Sequence, residues 1–279
     1  MMNNTRRLTV GQKITAKSER LTADRRFGRY TPESSHNVRQ PDITGQSFSE
    51  QVKRTREMLR EMTPGQALEV IEFHRGLTIF EALALAKREG RLIVPNNVHD
   101  KILTETRDEE CLIQIYPLWS GTLVIYEAPD KKFDKKVVYG RVDKNNVKSS
   151  IFFNVPKQFR GLRNCALVVE HPDFDLIDLG NNKYELKITD EKVHQIQDFP
   201  KSDGWYMPNT ETGIPHGGEV EQSSNSRYLW RIVNGSYLGP LIRGVGGRCN
   251  VVAVSGHDSA FGVALVPLAV APKKSDSHD

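Results

Sequence analysis

The segment from residue 231 to residue 272 lacks five amino-acid types, because it contains no Lys, Glu, Gln, Met or Trp. Those types make up 55 of the 279 residues, so a segment of this length should contain about eight of them. Under independent sampling, an empty window has a chance on the order of one in ten thousand. The segment nevertheless contains Arg243 and Asp258. Burial in an apolar core does not by itself exclude Lys and Glu while admitting Arg and Asp, so a more selective rule is needed.

Long apolar runs and secretory signals are also missing. No run approaches the ~20 apolar residues that a membrane-spanning helix needs, and the first residues lack the apolar stretch of a signal peptide. We therefore expect no contact with a membrane and a cytoplasmic or virion-associated location. The three cysteines, Cys111, Cys165 and Cys249, are far apart and contain no CxxC pair. This spacing argues against a disulfide framework and favours buried thiols in a reducing compartment.

The basic charge of the chain is confined to its beginning. Residues 1–40 contain nine Arg and Lys against three acidic residues, a charge of +6, so the remainder carries −2 of the overall +4. Residues 1–45 are also poor in apolar side chains, which predicts a flexible arm. Such an arm fits a nucleic-acid or other acidic partner, a solubilising tail, or a segment that docks on a second subunit.

Residues 46–110 are predicted to be a helical region. Ser47 and Glu50 have the spacing of a capping box at a helix start, and Thr78 has the position of a cap for a later helix. Residues 96–110 are polar, and we expect them to form a connector with about one helical turn.

From Cys111 onwards, short strand-like runs alternate with turn sequences, at the spacing typical of antiparallel sheets. We therefore predict an α+β fold in which the helical region is followed by a β-rich domain over 111–272. The predicted strands are 92–95, 112–116, 122–126, 136–139, 150–155, 166–169, 184–188, 193–196, 227–231 and 261–266.

Two loop sequences offer polar clusters. Asp173, Asp175 and Asp178 could gather a calcium ion, although the offsets of an EF-hand are absent and an exposed strand edge is the alternative. Residues 198–226 are predicted to be a long loop that Trp205–Met207 anchor to the core. The same loop contains His216-Gly-Gly-Glu219, but a loop lacks the helical spacing that aims both side chains at one ion.

The composition of residues 231–272 resembles the variable region of proteins diversified by diversity-generating retroelements. In that family a reverse transcriptase miscopies adenines of a template RNA. Asn codons of the form AAC then become codons for many residues, but never for Lys, Glu, Gln, Met or Trp. The family's region ends in a Gly-Phe-Arg-like strand. Here Phe261-Gly262-Val263-Ala264-Leu265 is similar, with Arg absent and Phe and Gly transposed.

The resemblance implies a C-type-lectin-like fold of the formylglycine-generating-enzyme type, whose terminal strands display variable side chains to a ligand. The scaffold helix signature usual in that type is not evident between residues 111 and 226. We interpret the chain as a non-enzymatic binding protein, without catalytic residues, metal or cofactor, whose partner is a protein or a cell-surface ligand. The candidate ligand contacts are Tyr237, Leu238, Arg243, Arg248, Asn250, His257, Asp258 and Ser259.

Two other functions remain open at this point. A hydrolase or a transferase toxin could use His216, Glu219, His257 and Asp258, which requires the two histidines to lie close together. A coat-like assembly protein could bind nucleic acid through residues 1–40 and form a homo-oligomer.

Overall fold

A computed structural model describes six segments of the chain, residues 47–105, 118–142, 148–231, 235–245, 248–252 and 261–268. These segments form a strand-rich mixed α/β structure. Among them, no helix is long and apolar enough to cross a membrane. The predicted arm over 1–45 and the predicted strand over 112–116 lie outside the described residues.

Four α-helices occur in the described residues, and the first three begin at capping boxes. The side chains of Ser47, Thr63 and Thr78 each accept a hydrogen bond from the backbone three residues later, and a Glu or Gln side chain at that position bonds back to the cap. These reciprocal bonds satisfy backbone N–H groups that a helix start leaves without partners. The helices are α1 Phe48–Glu61, α2 Pro64–Val70, α3 Ile79–Glu89 and α4 Asn96–Glu105.

The expectation of a polar connector with one helical turn was wrong for α4, which has ten residues. Val98, Ile102 and Leu103 are buried, and their spacing places them on one side of a helix. These three residues form the apolar face of α4, and they pack in one cluster with apolar residues of α1 and α2.

The described strands form two sheets and are numbered in chain order. The predicted strands at 92–95, 122–126, 136–139, 150–155, 166–169, 184–188, 193–196, 227–231 and 261–266 are present with shifted ends, and the expected strand edge around Asp173–Asp178 is a strand at 174–178. The strands at 204–208 and 215–216 lie in a segment that was expected to be a loop. The strands are β1 Glu72–His74, β2 Arg91–Ile93, β3 Leu118–Tyr126, β4 Lys136–Val142, β5 Lys148–Asn154, β6 Ala166–Glu170, β7 Phe174–Asp178, β8 Lys183–Ile188, β9 His194–Ile196, β10 Gly204–Pro208, β11 Pro215–His216, β12 Arg227–Trp230, β13 Tyr237–Val245, β14 Arg248–Val252 and β15 Gly262–Pro267.

The main sheet is arranged around β3, which pairs with β13 along one side. On its other side β3 pairs first with β15, through Leu118 and Trp119, and then with β6, through residues 122–126. The strand order is β1-β15-β3-β13-β14-β12-β10-β11, with β2 also on β15 and β9 on β6. The region predicted to be helical therefore contributes two strands, β1 and β2, to the same sheet as the C-terminal strand.

Strand β3 changes partner at Gly121. Its N–H donates to the carbonyl oxygen of Val94, and its carbonyl accepts from the N–H of His171, both at 2.7 Å. A Cβ atom at this position would lie 2.2 Å from the carbonyl oxygen of Ile93. Only glycine allows the backbones to approach this closely.

Strand β15 is buried on both sides. Val263 and Leu265 belong to an apolar cluster that also contains residues of α3, β3 and the second sheet, whose order is β4-β5-β8-β7. Ala264 and Val266 belong to a second cluster with α1, α2 and α4. Because successive side chains of a strand point to opposite faces, β15 joins the two halves of the core.

A buried polar network ties α1 to the turn between β6 and β7. The Arg56 guanidinium donates to the carbonyl oxygens of Glu170 and His171, at 3.0 and 2.8 Å, and to the Asp173 carboxylate at 3.0 Å. The buried His171 imidazole accepts a hydrogen bond from the Ile93 N–H through Nδ1. Burial, with a smaller contribution from the Arg56 charge, lowers the pKa of His171 to about 3. The imidazole is therefore neutral in the folded protein at neutral pH.

Acidification is expected to destabilise the protein through His171. In the unfolded chain a histidine pKa is about 6.5, whereas the folded-state pKa is about 3. Below pH ~6.5 the unfolded state therefore gains a proton that the folded state excludes. We expect His171 to reduce the free energy of unfolding by about 2 kcal/mol between pH 7 and pH 5, measured by urea unfolding.

The matched comparison uses His171→Asn, whose side-chain oxygen can still accept a hydrogen bond from the Ile93 backbone. This variant should lose about 2 kcal/mol of the pH dependence, while His194→Asn, at a half-exposed site, should keep it. An unchanged pH dependence in His171→Asn would contradict the assignment.

Candidate functional site

Two of the candidate ligand contacts lie in the core. Tyr237 and Leu238 are 1% and 0% exposed, and the Tyr237 ring packs against those of Tyr126 and Tyr139 at centroid distances of 5.6 and 5.1 Å. Because β13 is an interior strand between β3 and β14, the first residues of this strand support the sheet. Their side chains are not on the exposed face on which we expected them, so we leave them out of the site.

The other candidate contacts belong to β13, β14 and the segment after β14. Arg243 lies opposite Val251 in the β13–β14 pair, and Arg248 and Asn250 lie on β14. The Cα atom of Asn250 is the partner of Tyr228 in the parallel β12–β14 pair. His257, Asp258 and Ser259 lie outside the described residues. Strand β14 therefore places one candidate position, Asn250, directly beside β12, whereas Arg248 pairs with Val245 of β13.

Strands β10, β11 and β12 carry an exposed aromatic surface next to β14, which we call the aromatic face. On β10 and β12, exposed or half-buried residues alternate with buried ones, as on a sheet with one solvent-facing side. The cross-strand pairs Trp205–Tyr228 and Met207–His216 place these side chains on that same side. The aromatic face consists of Trp205, Met207, His216, Tyr228 and Trp230.

The three rings of the aromatic face form a continuous row. Trp205 and Tyr228 meet edge to face at a centroid distance of 5.4 Å, and Tyr228 and Trp230 are tilted at 5.0 Å. Trp230 is 48% exposed and Met207 43%. We expected Trp205–Met207 to anchor a loop to the core, and of these residues only Tyr206 is buried. If β10 had been recognised as a strand, the alternation of buried and solvent-facing residues along it could have been predicted.

The opposite side of β12 is held by a buried ion pair. Arg227, 2% exposed, donates to both carboxylate oxygens of Asp100 on α4, at 2.5 and 2.8 Å. It also donates to the Thr104 hydroxyl and to the carbonyl oxygens of Ser224 and Ser226. The planar guanidinium is thus bonded along both of its edges. This network fixes the strand that carries Tyr228 and Trp230.

His216 and Glu219 do not form a joint site. His216 lies on the aromatic face, opposite Met207. The Glu219 carboxylate lies beside Gly204, where an added Cβ would come within 2.9 Å of it. Gly204 pairs with the buried Leu229, so that Cβ would point away from the aromatic face. The proximity of His216 to His257 involves a residue outside the described segments.

The beginning of the 231–272 segment is anchored by buried polar contacts. Arg231 donates to the carbonyl oxygens of Pro200 and Glu127, and its guanidinium lies 4.5 Å from the centroid of the Tyr126 ring. Burial lowers the pKa of this guanidinium. Ser236 donates to the Glu127 carboxylate, which also accepts from a lysine. Arg231 and Ser236 are therefore structural residues of the segment.

The three aspartates of the calcium hypothesis have separate partners. Asp173 binds Arg56 and Asp175 pairs with Lys87 at 3.4 Å, while the Asp178 carboxylate accepts from the N–H of Gly180. In the described part of the chain, no group of three or more His, Cys, Asp or Glu side chains could hold a metal ion. The alternation on β7 reflects an edge strand of the second sheet.

Comparison of the chain with models of known protein families, with curated proteins and with solved structures gives no match. The interpretation of the aromatic face therefore depends on its own geometry and on the sequence of the strands beside it.

Replacement of Asp100 by Asn is expected to destabilise the protein strongly. The change keeps the shape of the side chain but leaves the buried Arg227 guanidinium without its carboxylate. Loss of one member of a buried ion pair costs about 3–5 kcal/mol, and urea unfolding measures it. Glu57→Gln removes a carboxylate from an exposed pair with Lys53 and should leave stability within experimental error. A loss below about 1 kcal/mol for Asp100→Asn would contradict a supporting role for this pair.

Proposed function

We propose that the protein is a non-enzymatic binding protein that contacts its ligand through the aromatic face and the adjoining positions of β14. The observation that carries the proposal is the row of Trp205, Tyr228 and Trp230 on the solvent side of the sheet, directly beside the strand that contains Arg248 and Asn250. The ligand class we favour is a protein or another cell-surface molecule.

The exposed Trp230 and the half-buried Trp205 and Tyr228 beside it support a contact surface. Contiguous exposed apolar patches on soluble proteins commonly mark interaction sites, and Trp and Tyr dominate the binding energy of protein interfaces. The alternate residues of β10 and β12 include the buried Tyr206 and Leu229. Strands β10 and β12 therefore contribute apolar side chains to the core from their inner side. The rings on their outer side are additional to these buried side chains.

The proposal includes diversification of the C-terminal segment by a retroelement on a C-type-lectin-like scaffold. It is supported by the absence of five residue types over 231–272 and by a terminal strand, β15, that is buried on both sides and can stay rigid while exposed positions change. The positions that we propose to vary are Arg243, Arg248, Asn250, His257, Asp258 and Ser259.

The gene's neighbourhood provides the direct test of diversification. We expect the flanking DNA to contain a near-copy of the codons for residues 231–272, beside a reverse transcriptase gene, with mismatches only at adenines of the copy. The mismatched codons should include those of Arg248 and Asn250 and should spare those of the buried Arg231 and Leu238, because substitution of a packed residue is costly. Intact flanking DNA without such a copy would contradict diversification.

The contact surface is tested by Trp230→Ala in the full-length chain, screened against arrays of purified cell-surface proteins and glycans. Removal of a central Trp should weaken binding to a wild-type ligand by roughly 30-fold, since such residues contribute about 2 kcal/mol or more. Phe48→Ala removes another exposed aromatic ring, 56% exposed on α1, and should leave affinity unchanged. A ligand that binds Trp230→Ala as tightly as the wild type would contradict a role of the aromatic face.

A further inference from the structure

A cleft of about 490 Å³ lies between α1, the first half of α4 and the loop after β10. It shares no residue with the aromatic face. Its lining includes the apolar Leu59 and Val98 and the charged residues Arg60 and Lys101. The volume falls within the range of small-molecule sites in proteins.

Arg60 and Lys101 have no carboxylate partner in the described part of the chain. Lys101 Nζ donates to the backbone carbonyl oxygens of Arg60 and Met62, at 3.1 and 2.7 Å, and no described Asp or Glu pairs with it or with the Arg60 guanidinium. The two carbonyl bonds hold the ammonium in place, since they come from the end of α1. A third N–H of the ammonium is left for another acceptor.

The acidic residues of the cleft, in contrast, have basic groups beside them. Glu170 lies 3.3 Å from the Arg56 guanidinium, and only 8% of its side chain is exposed. Glu211 is largely exposed and lies 3.8 Å from His194. The lining contains equal numbers of Arg or Lys and of Asp or Glu side chains, and the two cations among them without a described carboxylate partner are Arg60 and Lys101. Asn97 and Val98, at the start of α4, and Leu59 and Arg60, at the end of α1, line the same cleft. The positive end of one helix dipole therefore lies near Arg60 and Lys101, and the negative end of the other is capped by Lys101.

We propose that this cleft binds a small organic anion, whose carboxylate or phosphate group is held by Arg60 and Lys101. The guanidinium supplies paired N–H donors to the oxyanion, and the ammonium supplies a fixed point charge. Leu59 and Val98 form an apolar wall for the carbon skeleton of the ligand. The anion neutralises the two charges that the described chain leaves unpaired.

The test is calorimetric titration of the full-length protein with inorganic phosphate and, separately, with succinate, at constant ionic strength set by sodium chloride. At least one anion should bind saturably with a stoichiometry near one. Comparison of the two titrations shows whether the cleft prefers a phosphate or a carboxylate group. Arg60→Gln should weaken the binding by about tenfold, the usual effect of losing a hydrogen bond between charged groups.

Arg54→Gln is the matched control, because Arg54 is an exposed residue of the same helix that does not line the cleft. It changes the net charge equally and should leave the affinity unchanged. Lys101→Met, checked for folding by circular dichroism, should weaken binding as Arg60→Gln does. The proposal is overturned if neither anion binds saturably, or if Arg54→Gln weakens binding as much as Arg60→Gln.

Discussion

The close approach of two backbones at Gly121 is the constraint on which the main sheet depends. Strand β3 contacts three strands, and it can exchange β15 for β6 only where its backbone accepts bonds from one neighbour and donates to another. The carbonyl oxygen of Ile93 occupies the space that a Cβ would need. Every residue of β3 is buried, so the sheet cannot relieve a larger side chain by moving outward. Through this contact, β3 links β2 and the helices beside it to the part of the sheet that contains the aromatic face.

Burial accounts for part of the composition of residues 231–272. Part of the segment is core, including Tyr237, Leu238 and the consecutive residues 263–266 of β15, where Lys, Glu and Gln would be costly. Arg231 is buried as well, but a planar guanidinium can lie over the Tyr126 ring while it donates to two carbonyl oxygens. A lysine ammonium can donate to two carbonyl oxygens but lacks the planar group that stacks on a ring. Burial thus explains the missing residue types at these positions, and a selective rule is needed only for the remainder.

Sequence patterns predicted the features that depend on neighbouring residues. The caps at Ser47 and Thr78 are interactions within four residues, and the strands of the second sheet follow from local alternation and turn sequences. The strand β10 was missed because its sequence, Gly-Trp-Tyr-Met-Pro, lies in a segment rich in Gly, Pro and Asn. This segment forms a strand because it pairs with β12, and a local sequence pattern does not reveal a partner that is distant in the sequence. The aromatic face was missed for the same reason, since its three rings belong to two strands that are distant in the sequence.

Helix α4 shows why a polar sequence can be central to a fold. Its side chains make specific long-range contacts: Asn96 bonds to Thr212, Asp100 to Arg227 and Lys101 to the end of α1. Each contact satisfies a polar group that would otherwise be costly to bury. A polar sequence therefore indicates a connector only when water, and not the rest of the protein, supplies the hydrogen-bond partners of its side chains.

Asp100 and Lys101 are consecutive residues of this helix, yet they serve different surfaces. Asp100 fixes the inner side of β12 beneath the aromatic face, and Lys101 lines the cleft beside α1. A displacement of α4 would therefore move both surfaces together. The fold thus concentrates its buried polar contacts on the inner side of β12, opposite the aromatic face.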